Sequence, residues 1–422
     1  MLKTVFGTIS TRLITAVLSF VIVIFNSRFL GATGQGTISL FVLGITLNSL
    51  ISSFIGGPAL VYLIPRYSLF KLSLLSYIWA LISSFIGTLL LAILHLVPSE
   101  LVFDIFIVSL IFQFASVNTS VLLGKKKIFW YNLASISQLI SIFCVLSFFL
   151  FFLNKIEVSS YITALKLGNF IFFALSFAFF AKQINEIEFS GMYSILLQMF
   201  KFGAFVQFAN ILQLMNYRLS YYIIEFYLGR NALGQYSVGV QFSESLWLIS
   251  RSLSMIQYSE ISNSTDFDFN KKITIQFVKF SFAFTVLGLF FLIIIPKDFF
   301  IFLLNKDFEN IKTIIFSLGF GILSMSVSVI FSHYLSGIGK HFYNTIGSGI
   351  GFFVTLILGF LLIPKFGILG AGITTSTSYF ISAIYLFIIF VKKTNVKIVD
   401  FVIRKSDFNY IIHKIKLIIK KE

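Results

Sequence analysis

The chain has 422 residues, of which 58% are hydrophobic and only 11% are charged, and its mean hydropathy is +0.96. A soluble domain is about one quarter charged, so this composition excludes a water-soluble globular protein. The net charge of +16 does not indicate nucleic acid, because polytopic membrane proteins collect Lys and Arg in their cytoplasmic loops. The single cysteine, Cys144, excludes a framework of disulfide bonds.

Apolar segments long enough to cross a bilayer recur along the whole chain. A spanning helix needs about 20 mostly apolar residues. Twelve segments meet this condition: 10–30, 38–61, 72–97, 101–123, 133–153, 160–181, 202–228, 233–256, 273–296, 311–335, 342–363 and 368–391. We therefore predict an all-α polytopic membrane protein.

The most polar internal stretch divides these spans into two equal sets. It runs over 182–200 and predicts a cytoplasmic linker between an N-terminal six-helix bundle, 1–181, and a C-terminal six-helix bundle, 201–391. The middle of the linker is amphipathic and is typical of a helix that lies along a membrane surface. A basic cytoplasmic tail, 392–422, has two interpretations: a surface helix attracted to anionic lipid, or a frayed segment that only fixes topology.

The charges of the loops predict the orientation. Alternate loops carry an excess of Lys, most clearly at Lys125–Lys127 and Lys271–Lys272, whereas the intervening loops are short and balanced in charge. Positively charged loops remain in the cytoplasm. Both termini are therefore predicted to be cytoplasmic, which agrees with an even number of spans.

One short motif occurs twice, near the start of each half. The first copy runs from Phe29 to Ser39 and the second from Tyr227 to Ser237. Both consist of an aromatic residue, Leu, Gly, four residues, Gly, two residues and Ser. Glycine adopts backbone conformations closed to other residues, which suits a tight turn between packed helices. The two copies indicate a duplicated membrane bundle.

A second internal similarity supports the duplication. Segments 123–132 and 336–344 each combine Gly, basic residues, aromatic residues and Asn after the fourth span of their half. Because each half has an even number of spans, the repeats are predicted to be parallel, related by an axis along the membrane normal.

Three stretches resemble the multidrug/oligosaccharidyl-lipid/polysaccharide (MOP) exporter superfamily, and within it the Wzx-type polysaccharide flippases. They are the first turn at 28–40, the segment 228–247, and the turn 363–372 between the last two spans. The proline that this family often has near 258–262 is absent here. The resemblance implies a MATE-like V of two six-helix bundles in the bacterial inner membrane. It also implies an undecaprenyl-diphosphate-linked oligosaccharide as cargo, and the polysaccharide polymerase and chain-length machinery as partners.

Charged residues inside the apolar spans are the candidate site, because charge at membrane depth is costly and usually faces a water-filled cavity. Guanidinium groups match phosphate oxygens, so a cationic cavity would suit a diphosphate. The predicted substrate-binding cations are Arg12, Lys166, Arg218 and Arg251. Possible coupling or pairing groups are Glu244 and His333, and the predicted polar lining is Asn26, Gln207, Asn210, Gln213 and Asn216.

Other interpretations of these residues remain open. Arg12, Lys166 and Arg251 are near enough to the ends of their spans to extend to the membrane surface. Glu244 and Arg251 share one helix face, so Glu244 is either a coupling group or a structural partner of Arg218 or Arg251. His333 is either a proton relay or a satisfied polar residue.

The resulting prediction is a flippase for lipid-linked oligosaccharide repeat units, of O-antigen or capsule type, and not an enzyme. The alternatives are a MATE-like cation or drug antiporter, disfavoured by the single mid-span carboxylate, and a polytopic polysaccharide polymerase, disfavoured by short external loops. The sequence contains no metal-ligand cluster and no nucleotide-binding loop, so neither a metal nor another cofactor is expected.

Overall fold

A computed structural model describes residues 2–184 and 189–402, with side chains from residue 10 onward; in these ranges the chain forms helices and turns and no strand. The helices are α1 Leu2–Ser52, α2 Gly57–Leu63, α3 Leu69–Ile93, α4 Val102–Gly124, α5 Ile128–Phe151, α6 Val158–Ala181, α7 Met192–Glu244, α8 Trp247–Ser262, α9 Phe267–Ile294, α10 Lys297–Leu303, α11 Ile311–Gly337 and α12 Phe342–Thr394.

Three of these helices are too long for a single membrane span. α1 has 51 residues, and α7 and α12 have 53 each, whereas about 20 residues cross the hydrocarbon core. Each contains one glycine outside the helical region: Gly31 with φ 69°, Gly229 with φ 78° and Gly367 with φ 59°. Positive φ is accessible to glycine at little cost. The helix breaks that the sequence predicts at these turns are confirmed.

Nine helices within the described residues are long and apolar enough to cross a membrane. The protein is therefore a multi-pass helical membrane protein. Division of α1, α7 and α12 at their glycines is compatible with twelve spans, and that count stays a prediction.

The predicted span 233–256 is interrupted, which the sequence did not indicate. α7 ends at Glu244 and α8 begins at Trp247. At this break the hydroxyl of Ser243 donates to the Gly239 carbonyl at 2.9 Å, and that of Ser245 donates to the Phe242 carbonyl at 2.7 Å. Hydroxyls that bond to carbonyls of the preceding turn bend helices, and they act here without a glycine or a proline at the break.

The chain divides into two compact units. Unit 1 comprises Met1–Leu214, Tyr221–Val238 and Lys297–Asn310. In it α4 packs against α3 and α6, and α1 packs against α3 and α5. Buried polar groups fix the register of these helices: Ser83 and Ser84 donate to Gln113 Oε1, and Gln113 donates to the Asn48 carbonyl. Unpaired polar groups are costly in an apolar interior, so these bonds favour one arrangement of the helices.

Unit 2 comprises Met215–Ser220, Gly239–Pro296 and Ile311–Glu422. Its central helix is α11, which packs against α8, α9 and α12. The core of this unit includes the fully buried rings of Phe331, Tyr334 and Phe390. The division of the sequence into 1–181 and 201–391 stays a prediction. Unit 1 includes three stretches of the second half: 201–214, Tyr221–Val238 and Lys297–Asn310.

The second part of the predicted linker is helical, because α7 begins at Met192. This helix end is anchored inside unit 1: the ring of Tyr62 stacks on Phe202 at 4.6 Å between centroids, and the hydroxyl of Tyr67 donates to Gln198 at 2.8 Å. The predicted tail, 392–422, begins inside α12, which ends at Thr394, and its part beyond Val402 lies outside the described residues.

Candidate functional site

Unit 2 brings together two of the predicted site residues, Arg218 on α7 and Glu244 at the end of that helix. Arg218 Nη1 and Nη2 donate to Glu244 Oε1 and Oε2, each at 2.7 Å. The side chains are 23% and 15% exposed, so the ion pair is partly buried. Parallel donation to both carboxylate oxygens is the strongest common arrangement of such a pair. The pair neutralises both charges where solvation is limited.

Three aromatic rings of unit 2 pack together, and one of them belongs to Tyr217, which precedes Arg218 in the chain. Tyr217 lies 5.8 Å from Trp247 and 5.6 Å from Tyr379 between ring centroids. The indole of Trp247 is buried and donates to the Ile322 carbonyl of α11. The guanidinium of Arg251 lies 5.5 Å from the centre of the Trp247 ring, a cation–π distance. Arg251 is exposed, so unit 2 presents a guanidinium on α8, the helix that begins just beyond Glu244.

The other two predicted cations lie in unit 1. Lys166 Nζ forms an ion pair with Asp104 Oδ1 at 2.5 Å, near the start of α4. Arg12 is exposed on the first part of α1. Lys166 therefore has a carboxylate partner that links α4 and α6, a pairing that the sequence did not predict.

The predicted polar lining of α7 makes contacts within the protein. Asn210 donates to Gln207 Oε1 at 3.0 Å, and Asn216 Oδ1 accepts from Ser378 at 2.6 Å. Gln207 and Asn216 are buried, whereas Gln213 is exposed. The predicted polar lining is therefore buried at Gln207 and Asn216.

Two further predicted site residues, His333 and Asn26, differ in their surroundings. His333 Nδ1 lies 2.9 Å from the Val329 carbonyl of its own helix, and its ring packs edge-on against Tyr258. Asn26 is buried on α1, and its Oδ1 has no hydrogen-bond partner within the described residues.

The two copies of the glycine motif pack against each other inside unit 1. A Cβ atom built on Gly36 would overlap the Arg230 carbonyl, and one built on Gly234 would overlap the Ala32 carbonyl. Ala32 and Arg230 are the residues that follow the kink glycine in each copy, so the two close approaches are reciprocal. This reciprocity is what a two-fold relation between the copies produces.

Side chains at equivalent positions of the two copies also meet. The hydroxyl of Ser39 donates to that of Ser237 at 2.9 Å, and Asn231 Nδ2 donates to Thr33 Oγ1 at 3.4 Å. Both pairs are separated by 198 residues. The sequence revealed the duplication but did not show that the copies contact one another.

A loop from the second half closes over the first kink. Asp307 Oδ2 accepts the Ala32 N–H at 3.0 Å, and Asn305 Nδ2 donates to the Ser27 carbonyl at 3.2 Å. Arg28 Nη1 donates to the Phe302 carbonyl at 2.9 Å. The bonds at Ala32 and Ser27 satisfy backbone groups that the break at Gly31 leaves outside the helix ladder.

Charged groups that the sequence analysis missed include Arg230 and Lys279. Arg230 bonds to Glu225 at 3.2 Å and to Glu100 at 3.1 Å, beside the second kink. The sequence contained a signal for Arg230, because the second copy of the glycine motif has a charged residue where the first copy has Ala32. Lys279 is buried on α9, and its charge within an apolar span was the signal that could have identified it.

The comparisons with known proteins concern the fold. No protein-family model matches the chain. An inward-facing multidrug-resistance MATE-family transporter of the MOP superfamily is similar with a TM-score of 0.75 and 15% identity, over 90% of this chain and 94% of that one. The lipid II flippase MurJ, in an inward closed conformation, has a TM-score of 0.73 and 16% identity, over 95% and 89%.

A sequence relative covers a smaller part. The chain is 40% identical over 83 residues to an uncharacterised membrane protein of Methanocaldococcus jannaschii, which is 20% of this chain and 16% of that protein. The predicted all-α, MATE-like polytopic fold is confirmed. Multidrug transporters and a lipid II flippase share this fold.

Proposed function

We propose that this protein is a flippase that moves undecaprenyl-diphosphate-linked oligosaccharide repeat units from the inner to the outer leaflet of the bacterial cytoplasmic membrane. The transfer proceeds by alternating access and includes no covalent step. Both termini lie in the cytoplasm, and the product is delivered to a polysaccharide polymerase. The similarity to MurJ over most of both chains supports the class.

The observation that carries the proposal is the presence of two guanidinium groups on consecutive helices of unit 2. Arg218 presents both of its terminal nitrogens to one acceptor with two oxygens, Glu244, and Arg251 is exposed on α8. A diphosphate offers the same kind of oxygen pair and carries about two negative charges. An inside-negative potential would favour its outward movement by about 2.3 kcal/mol per charge per 100 mV.

The second candidate is a cation or drug antiporter, which the similarity to MATE transporters favours. Such a pump needs a carboxylate that binds a cation in exchange for a proton. Glu244 is the mid-span carboxylate that the sequence predicts, but its two oxygens are already held by Arg218. A guanidinium beside the acid repels a cationic substrate, so we prefer the flippase.

The test is deletion of the gene in its native host, followed by extraction of lipid-linked oligosaccharide and measurement of surface polysaccharide. We expect surface glycan to disappear and single lipid-linked repeat units to accumulate in the cytoplasmic leaflet. Unchanged surface glycan with sensitivity to cationic drugs would support the antiporter. Repeat units that reach the outer leaflet without being lengthened would indicate a polymerase.

A further inference from the structure

The turn between α4 and α5 carries three consecutive lysines, Lys125–Lys127. All three side chains are exposed, and none of them forms an ion pair with another described residue. Adjacent like charges repel each other. The end of α4 therefore presents a concentrated positive charge that the described part of the protein does not balance.

The chain leaves α4 at these lysines in a left-handed conformation. Lys126 N donates to the Leu123 carbonyl at 2.9 Å, and Lys127 N donates to the Leu122 carbonyl at 2.8 Å. These two bonds define a Schellman motif, in which a residue just past the helix has positive φ and is usually glycine. In this turn that residue is Lys126, with φ 58°.

The second half of the duplication has glycine at the same point. After α11, Gly339 N donates to the Ser336 carbonyl at 3.0 Å, and Lys340 N donates to the Leu335 carbonyl at 2.7 Å. Gly339 has φ 74°, so the turn of unit 1 is repeated. Glycine takes this conformation at little cost, whereas a residue with a Cβ atom is strained in it. Lys126 therefore stands where glycine would stabilise the turn.

Lysine is an unusual residue type for this conformation. Among the described residues, the other non-glycine positions with positive φ are His95, Asn154 and Asn395, and these residue types tolerate the left-handed region better than lysine does. Membrane topology does not require a charge at Lys126, because the two neighbouring lysines already mark this loop. Local strain at a specific position points to a function of its side chain.

Aromatic rings follow the lysines at the start of α5. Phe129 and Trp130 are exposed, and their ring centroids are 5.1 Å apart. The Trp130 ring also packs against Phe179, near the end of α6, at 4.0 Å between centroids. Lys182, which caps α6, is exposed as well. Exposed aromatic rings and lysines together are typical of the level at which lipid headgroups meet the hydrocarbon.

We propose that the Lys125–Lys127 turn binds the phosphate of an anionic phospholipid in the cytoplasmic leaflet, with Phe129 and Trp130 beside the acyl chains. The three ammonium groups complement a negative headgroup, and the rings favour a lipid over a free phosphate ion. The site lies in unit 1 and uses none of the residues predicted to bind cargo. The inference goes beyond the proposed function and does not depend on the identity of the cargo.

The experiment titrates the purified full-length protein, in a neutral detergent, with phosphatidylglycerol or phosphatidylcholine and counts bound lipids by native mass spectrometry. Both lipids have a phosphate and two acyl chains, but only phosphatidylglycerol has a net charge. We expect the wild-type protein to bind phosphatidylglycerol more tightly. Lys126→Gly should weaken that binding about fivefold, the factor expected for one basic residue at an anionic headgroup, and should leave phosphatidylcholine unaffected.

A second measurement locates the lipid. Phosphatidylglycerol brominated near the ester end of its acyl chains quenches nearby tryptophans, and the difference between the wild type and Trp130→Phe isolates the signal of Trp130. We expect Trp130 to be quenched in the wild-type protein and to be quenched less in Lys126→Gly at the same lipid concentration. Absence of quenching at Trp130 would place the bound lipid elsewhere and overturn the proposal.

Thermal unfolding separates loss of the site from damage to the fold. Without lipid, Lys126→Gly should melt above the wild type, because glycine relieves the strain at positive φ. Lys126→Arg keeps the charge and should keep both the wild-type melting temperature and the binding of phosphatidylglycerol. Lys155→Gln removes an exposed lysine from the loop between α5 and α6, and this matched control should bind as the wild type does.

Equal affinity of the wild type for the two lipids, or unchanged phosphatidylglycerol binding by Lys126→Gly, would overturn the proposal. If Lys126→Gly does not fold, Lys125→Gln/Lys127→Gln should weaken binding about 25-fold, and unchanged binding by this variant has the same meaning. Displacement of the lipid by an equal concentration of glycerol 3-phosphate would assign the turn to a free phosphate instead. Displacement by a short polyprenyl diphosphate sugar would assign it to the cargo.

Discussion

An arginine inside an apolar helix is stable only where its charge is balanced or reaches water. Arg218 satisfies this condition through both oxygens of Glu244, and Lys166 does so through Asp104. The cost of removing one member of such a pair exceeds the net stabilisation by the pair, because the remaining charge loses its partner. At the residue scale, charge balance explains why each of these groups is tolerated.

A double-mutant cycle measures this coupling. We expect Arg218→Ala to lower the apparent melting temperature, because it leaves the Glu244 carboxylate unpaired at about 1–3 kcal/mol. The double variant Arg218→Ala/Glu244→Ala should melt above Arg218→Ala alone, since it contains no orphaned charge. Thermal unfolding in detergent, followed by intrinsic fluorescence, gives the order of the variants.

The matched control for this cycle is Lys297→Ala. Lys297 pairs with Glu309 at 3.3 Å, and both side chains are about half exposed, at 49% and 58%. Exposed pairs contribute about 0–1 kcal/mol, so this variant should melt close to the wild type. A double Arg218/Glu244 variant that melts no higher than Arg218→Ala would show that the pair is not energetically coupled.

At the scale of elements, glycine marks both where helices bend and where they approach. Gly31 and Gly229 have positive φ at the two kinks, whereas Gly36 and Gly234 are the points of backbone contact. The glycines of one motif thus have two different physical roles. The first pair supplies backbone freedom, and the second supplies the absence of a side chain.

We predict that Gly36→Ala and Gly234→Ala destabilise the protein, because the added methyl group would overlap a backbone carbonyl that cannot move aside. Overpacking of this kind costs about 1–3 kcal/mol. Gly319→Ala is the control: it lies inside α11, and its Cβ would meet only Leu289 at 3.9 Å. The control should be neutral or stabilising, by up to about 1 kcal/mol, and equal melting temperatures for Gly36→Ala and Gly319→Ala would refute the close approach.

The contact of the 297–310 loop with the first kink gives a separate prediction. Asp307→Ala leaves the Ala32 N–H without its acceptor, at a cost of about 1–3 kcal/mol. Asp307→Asn retains an acceptor oxygen and should lose less. Amide hydrogen exchange at 30–34 measures the effect directly, and unchanged protection in Asp307→Ala would mean that the hydrogen bond does not hold the kink.

The sequence predicted the helix breaks that depend on the conformational preference of a single residue. The breaks at Gly31, Gly229 and Gly367 were predictable because the need for positive φ is written in the residue itself. The break after Glu244 was not predictable, because hydroxyls that bond to carbonyls of the preceding turn also occur in uninterrupted helices, as at Thr274 in α9. Charge partners such as Lys166 and Asp104 were missed because their proximity depends on how α4 packs against α6.

At the scale of the whole molecule, the duplication appears as contact between equivalent residues. Ser39 bonds to Ser237 and Asn231 to Thr33, each pair separated by the same interval. Because the two close approaches are reciprocal, each copy must present small residues at the same positions of the motif. This requirement explains why glycine and serine recur at matching positions in the two halves.

We expect the contact between the two copies to open during each cycle of the proposed alternating access. We therefore predict that a disulfide across it stops transport. Ser39→Cys/Ser237→Cys, made in a Cys144→Ser background because Cys144 is an exposed free thiol, replaces two hydroxyls that lie 2.9 Å apart. Oxidation should join them, since the geometry brings both side chains within bonding reach.

The measurement uses proteoliposomes that contain a fluorescent short polyprenyl diphosphate sugar, with leaflet distribution read from quenching by an impermeant reagent. We expect the oxidised double variant to lose transport and dithiothreitol to restore it, whereas Ser39→Cys alone should transport under both conditions. Mass spectrometry of alkylated protein gives the fraction that is cross-linked. Full transport by completely cross-linked protein would mean that this contact stays closed throughout the cycle, and that the opening lies elsewhere in the molecule.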